Sequence, residues 1–210
     1  MAIQDAQIQY SVGIEDLYIC MMTTENAGAV PTYDTNIYKQ TNITDLTIST
    51  TSTNFTKWAS NKKIINITKN SSFSLAFNLA GLNREVKDKI FKKTRKNGVS
   101  FEKSDVVEYP KFAIGVIFPL SDGKKLLRWY PKCTIAPAEE TWATQNDEMT
   151  VNDIAYTITA DPLLFNNVAV TELDTGTAVA GPDNDTILTE QQFMAQVVCD
   201  ESQLATITAP

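Results

Sequence analysis

Residues 73–96, FSLAFNLAGLNREVKDKIFKKTRK, pass from a period of two to a helical period within a few positions. Phe73, Leu75, Phe77 and Leu79 alternate with Ser74, Ala76, Asn78 and Ala80, as a half-buried strand requires. Gly81 breaks that strand, and Asn83 is placed to accept from an orphan amide at a helix start, a cap worth ~1 kcal/mol. Leu82, Val86 and Ile90 recur every four residues, Phe91 widens the stripe, and Lys87, Asp88 and Lys92 face water. Glu85 precedes Lys89, and Asp88 precedes Lys92, in the favoured i, i+4 order. The cations Lys92, Lys93, Arg95 and Lys96 suit the negative end of the helix dipole, and Asn97-Gly98 supplies a stop. The stretch therefore predicts a helix over 83–96, packed as the single long helix against β-structure.

Strand signals surround it. VGIEDLYICMM alternates Leu17, Ile19 and Met21 against Tyr18, Cys20 and Met22, and predicts a strand buried on both faces. Glu25 to Asp34, with Gly28 and Pro31, reads as a loop. Strands are expected near 43–50 and 64–68, and between them Thr51 to Lys63, TSTNFTKWASNKK, reads as the tip of a long hairpin. Phe55 and Trp58 stand on this otherwise polar tip. They either fold back on their own domain or anchor a partner, since buried Trp is a frequent interface hot spot. Beyond the helix, KFAIGVIF and LLRWYPKCTI flank a Ser121-Asp122-Gly123-Lys124 turn and predict a hairpin, with Pro119 and Pro131 at strand ends or an edge. A polar link over 137–147 leads to a strand in MTVNDIAYTITA. Residues 161–188 read as a long loop excursion, and Thr189 with Gln192 opens a short helix through a capping box. Residues 1–12 and 201–210 read as terminal arms on a domain spanning 13–200.

Charge is segregated along the chain, whose net charge is −7. Residues 57–132 hold 17 of the 18 basic residues against 6 acids, whereas 133–210 hold 13 acids and no base. In an assembly of identical subunits the basic middle of one chain could face the acidic end of another, steering association. The basic run Lys92 to Lys96 is read first as a solvated helix end and second as a phosphate contact. The chain contains no histidine, which removes imidazole bases, His-activated nucleophiles and His metal ligands together. Cys20, Cys133 and Cys199 show no CxxC spacing and read as reduced, buried thiols. No phosphate-binding glycine loop occurs. Carboxylate pairs at Glu139-Glu140 and Asp147-Glu148 read as solvated, and Asp183-Asn184-Asp185 lacks the rest of a calcium loop. No catalytic residue, cofactor or metal is expected, and neither a signal peptide nor a membrane span is read.

The order of features resembles the major tail proteins, or tail tube proteins, of long non-contractile-tailed bacteriophages, most closely the group from phages of Gram-positive hosts. The resemblance runs over roughly residues 10–200. It is carried by VGIEDLYICMM, the long hairpin, the strand-helix unit FSLAFNLAGLNREVKDKIF, the KFAIGVIF to LLRWYPKCTI hairpin, APAEETWATQNDEMTVNDIAYTITA and the closing ILTEQQFMAQVV. The 161–188 excursion departs from the pattern in being longer and more acidic.

The resemblance implies a mainly-β fold, a β-sandwich of two packed antiparallel sheets with one flanking α-helix, a long hairpin and terminal arms. It implies a structural virion protein without enzymatic activity, made in the host cytoplasm, whose hexameric rings stack head to tail into a tube. The partners implied are other copies of the chain, a tape-measure protein and tail-end proteins, with double-stranded DNA passing through without tight binding and no membrane contact. The family places ring-to-ring contacts on the long hairpin and the two arms, which on this chain points to Phe55, Lys57 and Trp58 as subunit-interface residues. The alternative is a carbohydrate- or protein-binding β-sandwich of a phage baseplate or adhesion device, with Trp129-Tyr130 or Trp142 as an aromatic platform.

Overall fold

The structure, a computed structural model, describes residues 8–102, 108–135, 153–176 and 187–207. Among the described residues the fold is mainly β, with 56% strand against 11% helix and antiparallel pairing throughout, so the expected class holds. The strands are β1 (Leu17–Asn26), β2 (Ala29–Gln40), β3 (Ile43–Ala59), β4 (Lys62–Leu79), β5 (Thr94–Lys96), β6 (Val99–Phe101), β7 (Phe112–Pro119), β8 (Lys125–Ile135), β9 (Ile154–Ala160) and β10 (Thr171–Asp174). Helix α1 (Arg84–Ile90) follows β4, and α2 (Glu190–Met194), a 3-10 turn (Glu201–Gln203) and α3 (Leu204–Ile207) close the chain. The large sheet runs β2-β1-β7-β8-β9-β4-β3, with β10 pairing β8 beside this path.

This one hydrogen-bonded path folds into two layers. Its outermost strands, β2 and β3, are joined only by Thr41 and Asn42, so the two ends of the path meet at that corner. There the Ala80 amide donates to the Asn42 carbonyl at 3.2 Å. Side chains from both layers share a single core: Leu17, Ile19, Ile114 and Val116 from one, Leu75, Phe77, Leu79, Tyr156 and Ile158 from the other. Val86, Ile90 and Phe91 of the α1 region join it. Burying each such side chain contributes ~1.5–3 kcal/mol, which makes this shared interior the main source of stability.

The bend between the layers falls in β8, where Pro131 sits. Ile114 faces Tyr130, but Phe112 faces Cys133, so two β8 residues oppose one of β7 in a bulge at Pro131-Lys132. On the other edge of β8, β10 pairs over 126–129 and β9 only over 133–135, leaving Pro131 between two partner strands. A residue without an amide proton loses nothing there. A second core lies on the outer face of β1, β7 and β8, where Cys20, Ala113, Ile117, Leu127 and Trp129 are covered by Leu188, Phe193, Met194, Val197 and Val198. That double cover explains why β1 and β7 are nearly continuous apolar runs.

Several expectations need correction. The helix is Arg84–Ile90, not 83–96. Asn83 caps it as read, accepting from the Glu85 amide at 2.9 Å, but Lys92 takes a left-handed φ of 53° and ends it. The Lys92 amide reaches Lys89 O and the Lys93 amide reaches Asp88 O, the paired bonds of a Schellman stop. Asn97-Gly98, with φ of 52° and 82°, is then the turn of the β5-β6 hairpin. Asp88 consequently pairs with Arg95 rather than Lys92. Residues 25–34 are not a loop: only Ala27-Gly28 turns between β1 and β2, an edge strand that tolerates Pro31. The 161–188 excursion contains β10, and its residues 177–186 lie outside the described residues, as do the 136–152 stretch holding the polar link, and residues 103–107. The C-terminal stretch is docked over its described length: Ile207 packs on the second core and its carbonyl accepts from Gln192 Nε2 at 3.4 Å. Residues 8–12 lie along the β7-β8 turn, with Val12 N donating to Pro119 O at 2.9 Å.

Candidate assembly interface

The hairpin expected to end in a tip over 51–63 is a continuous ribbon whose turn is only Ser60-Asn61. Both turn residues have positive φ, 49° and 60°, the signature of a two-residue turn that matches the twist of its strands. β9 covers β4 only from Phe73 to Leu79. Beyond that row, among the described residues, β3 and β4 have each other and no third strand, so Thr51–Ala59 and its partner project as an arm of ~30 Å at ~3.3 Å per residue. A lone two-stranded ribbon is marginal in water.

The faces of the arm differ. Phe55 stands opposite Ile67 and Lys57 opposite Ile65, putting these four on one face. On the other, Thr68 Oγ1 donates to Asn54 Oδ1 at 2.6 Å and Thr56 Oγ1 to Asn66 Oδ1 at 3.2 Å, a polar ladder that stiffens the ribbon. Trp58 continues that second face opposite Lys63, where a bulge leaves Ile64 as the extra residue of β4. Phe55 is 58% exposed, Trp58 64%, Ile64 61% and Ile67 58%. The structure thus brings Phe55, Lys57 and Trp58 onto one arm and leaves both aromatics open to solvent instead of folded back. The sequence reading placed Ile64, Ile65 and Ile67 in a strand over 64–68 but did not name them as interface residues; the i, i+2 spacing of Ile65 and Ile67 opposite Lys57 and Phe55 was the signal.

Charge sharpens the picture. Part of the basic middle is neutralised within the subunit. Lys125 meets Glu15 and Glu190, Arg128 meets Glu172, and Lys111 and Lys132 both meet Glu25. The run Lys92 to Lys96 is partly spent as well, Lys93 on Glu102 and Arg95 on Asp88. The arm lysines, Lys57, Lys62, Lys63 and Lys69, make no ion pair among the described residues, and residues 51–72 contain no acid.

Trp129 and Tyr130, at 0% and 1% exposure, form no platform: the Trp129 indole donates to Phe193 O at 2.9 Å inside the second core. Trp142, the carboxylate pairs at 139–140 and 147–148, and Asp183-Asn184-Asp185 lie outside the described residues. All three cysteines are free and buried. Burial pushes the Cys20 and Cys199 thiols up to about 11; the Asp34 charge adds to the first and a Tyr33 hydrogen bond opposes the second. They are therefore protonated and unreactive at neutral pH. Among the described residues no group of three or more His, Cys, Asp or Glu is placed to hold a metal ion, and no helix is long and apolar enough to cross a membrane. No protein-family model matches the chain, and no curated protein matches its sequence.

Proposed function

We propose that the chain is a structural subunit of a phage tail tube, assembling with copies of itself into stacked hexameric rings, without enzymatic activity. The observation that carries this reading is the arm: a ribbon exposing Phe55, Trp58, Ile64 and Ile67 beyond the last covering strand. A monomer gains nothing by holding four large apolar side chains in water, whereas burial of each in a neighbour stabilises by ~1.5–3 kcal/mol. The outer edges of β2 and β3, unpaired among the described residues, also suit lateral neighbours, since open sheet edges seek partners. A net charge of −7 suits a conduit that must let DNA pass without adsorbing it. The binding-module alternative loses Trp129 and Tyr130 to the core.

The test is negative-stain electron microscopy of the purified protein across a concentration series, with light scattering. Rings or tubes with a central hole are expected. Trp58→Ala is expected to remain folded by circular dichroism and to lose polymerisation. A variant that still forms normal tubes removes Trp58 from the interface.

A further inference from the structure

We infer that the cationic tip of the arm docks on the Asp45-Asp153 end of a second copy of this chain, joining subunits head to tail. The inference rests on the tube-subunit reading and names the acceptor that reading leaves open. The two halves of the contact lie at opposite ends of the β3-β4 ribbon, Asp153 reaching its base from just before β9. At its base the exposed Asp45 accepts from Asn78 Nδ2 at 2.6 Å, and the exposed Asp153 accepts from Thr44 Oγ1 at 3.2 Å. Neither carboxylate meets a cation among the described residues. At the far end stand Lys57, Lys62 and Lys63, equally without counter-ions.

Twelve residues of extended β3 separate Asp45 from Lys57, ~40 Å at ~3.3 Å per residue, so the two groups cannot meet within one molecule. Facing a second copy, they can. The arm over 51–72 carries +4, which leaves −11 on the rest of the chain and makes another copy the natural counter-surface. Because donor and acceptor are different patches at opposite ends of a ribbon, each docking leaves a free tip and a free base, and the contact propagates. Charge here sets direction and register, while Phe55, Trp58 and the isoleucines supply burial. The arm's aromatics and isoleucines favour a protein surface over nucleic acid.

The test is zero-length carbodiimide coupling, which joins a carboxylate to an amine only in direct contact. An equal mixture of ordinary and nitrogen-15-labelled protein is coupled at high concentration and digested. Mixed-isotope peptides linking Lys57, Lys62 or Lys63 to Asp45 or Asp153 are expected. Alongside, Lys57→Glu/Lys62→Glu/Lys63→Glu and Asp45→Lys/Asp153→Lys are each expected to weaken self-association at least tenfold in sedimentation velocity, and a chain carrying all five changes to recover it. Coupling of the arm lysines only to other carboxylates of the second copy, without recovery in the combined chain, overturns this acceptor and leaves the tube reading standing. Absence of any mixed-isotope product, together with absence of rings and tubes, overturns both. Tight binding of a 30-base-pair duplex that the lysine changes abolish, with self-association untouched, makes nucleic acid the occupant and overturns the inference.

Discussion

Gly115 shows how one position without a side chain fixes the second core. It lies in β7 between Tyr18 of β1 and Trp129 of β8. A Cβ there would stand 2.7 Å from Met194 Cε and 2.9 Å from Trp129 Cζ3. The methionine end can move, but the indole is held by its bond to Phe193 O. Gly115→Ala therefore forces the ring and α2 outward, at ~1–3 kcal/mol as for other overpacked cores. Urea unfolding should show that loss with an unchanged slope; a variant within about 0.5 kcal/mol of the parent would mean that the helix yields freely. The sequence showed KFAIGVIF as a hairpin strand, but not this glycine's partner, because Met194 lies 79 positions further on.

At the scale of elements, Glu25 ties four of them together. Its carboxylate, with a side chain 5% exposed, accepts from Lys111 Nζ at 2.8 Å, Lys132 Nζ at 2.9 Å and the Leu164 amide at 3.1 Å. The end of β1 is thereby joined to the approach to β7, to β8 at its bulge and to the loop before β10. Burial pushes its acidity down, but the two lysines and the amide outweigh it and hold the group below its ordinary range. A carboxyl with a depressed folded-state pKa adds stability above its unfolded value and loses it as pH falls through the folded one. Glu25→Gln should cost about 2–3 kcal/mol at pH 7, below the ~3–5 of a fully buried pair because Lys111 keeps 34% exposure. The gap between variant and parent should close as unfolding is repeated below pH 4; a gap constant with pH would show that packing, not charge, sets the cost. None of this was legible, since Glu25 lay in a segment read as a loop. The helix was legible where chemistry is local: Asn83, Val86 and Ile90 behave as their spacing demands. Its end was not, because a lysine occupies the left-handed position where glycine or asparagine is the usual sign, and because Asn-Gly serves helix stops and hairpin turns alike. Arg95 and Ser100, both bonded to Asp88, decide between those uses through contacts no local pattern contains.

For the whole molecule, body and arm are separable in energy. Every residue of both cores lies outside 51–72, so the body's burial is complete without the ribbon. The sequence reading located the arm by its polarity and its two stray aromatics, but residue order alone could not show that β9 stops at the Phe73 row and leaves the ribbon uncovered. Nor could it show which of the segregated charges are quenched: distant partners such as Glu15 with Lys125 meet only after folding. Removing residues 53–59 and 62–69 keeps the Ser52 and Asn70 pair around the Ser60-Asn61 turn and deletes all four arm lysines. That shortened chain should melt within about 2 °C of the parent, since a change below ~1 kcal/mol moves a protein of this size by no more than a few degrees. In the same preparation it should stay monomeric at concentrations where the parent associates. A large fall in melting temperature would mean that the arm supports its own body, and its exposed aromatics would then need no partner to explain them. An unchanged melt with lost association would assign the ribbon to contact between subunits, the one place where burying Phe55 and Trp58 stabilises anything.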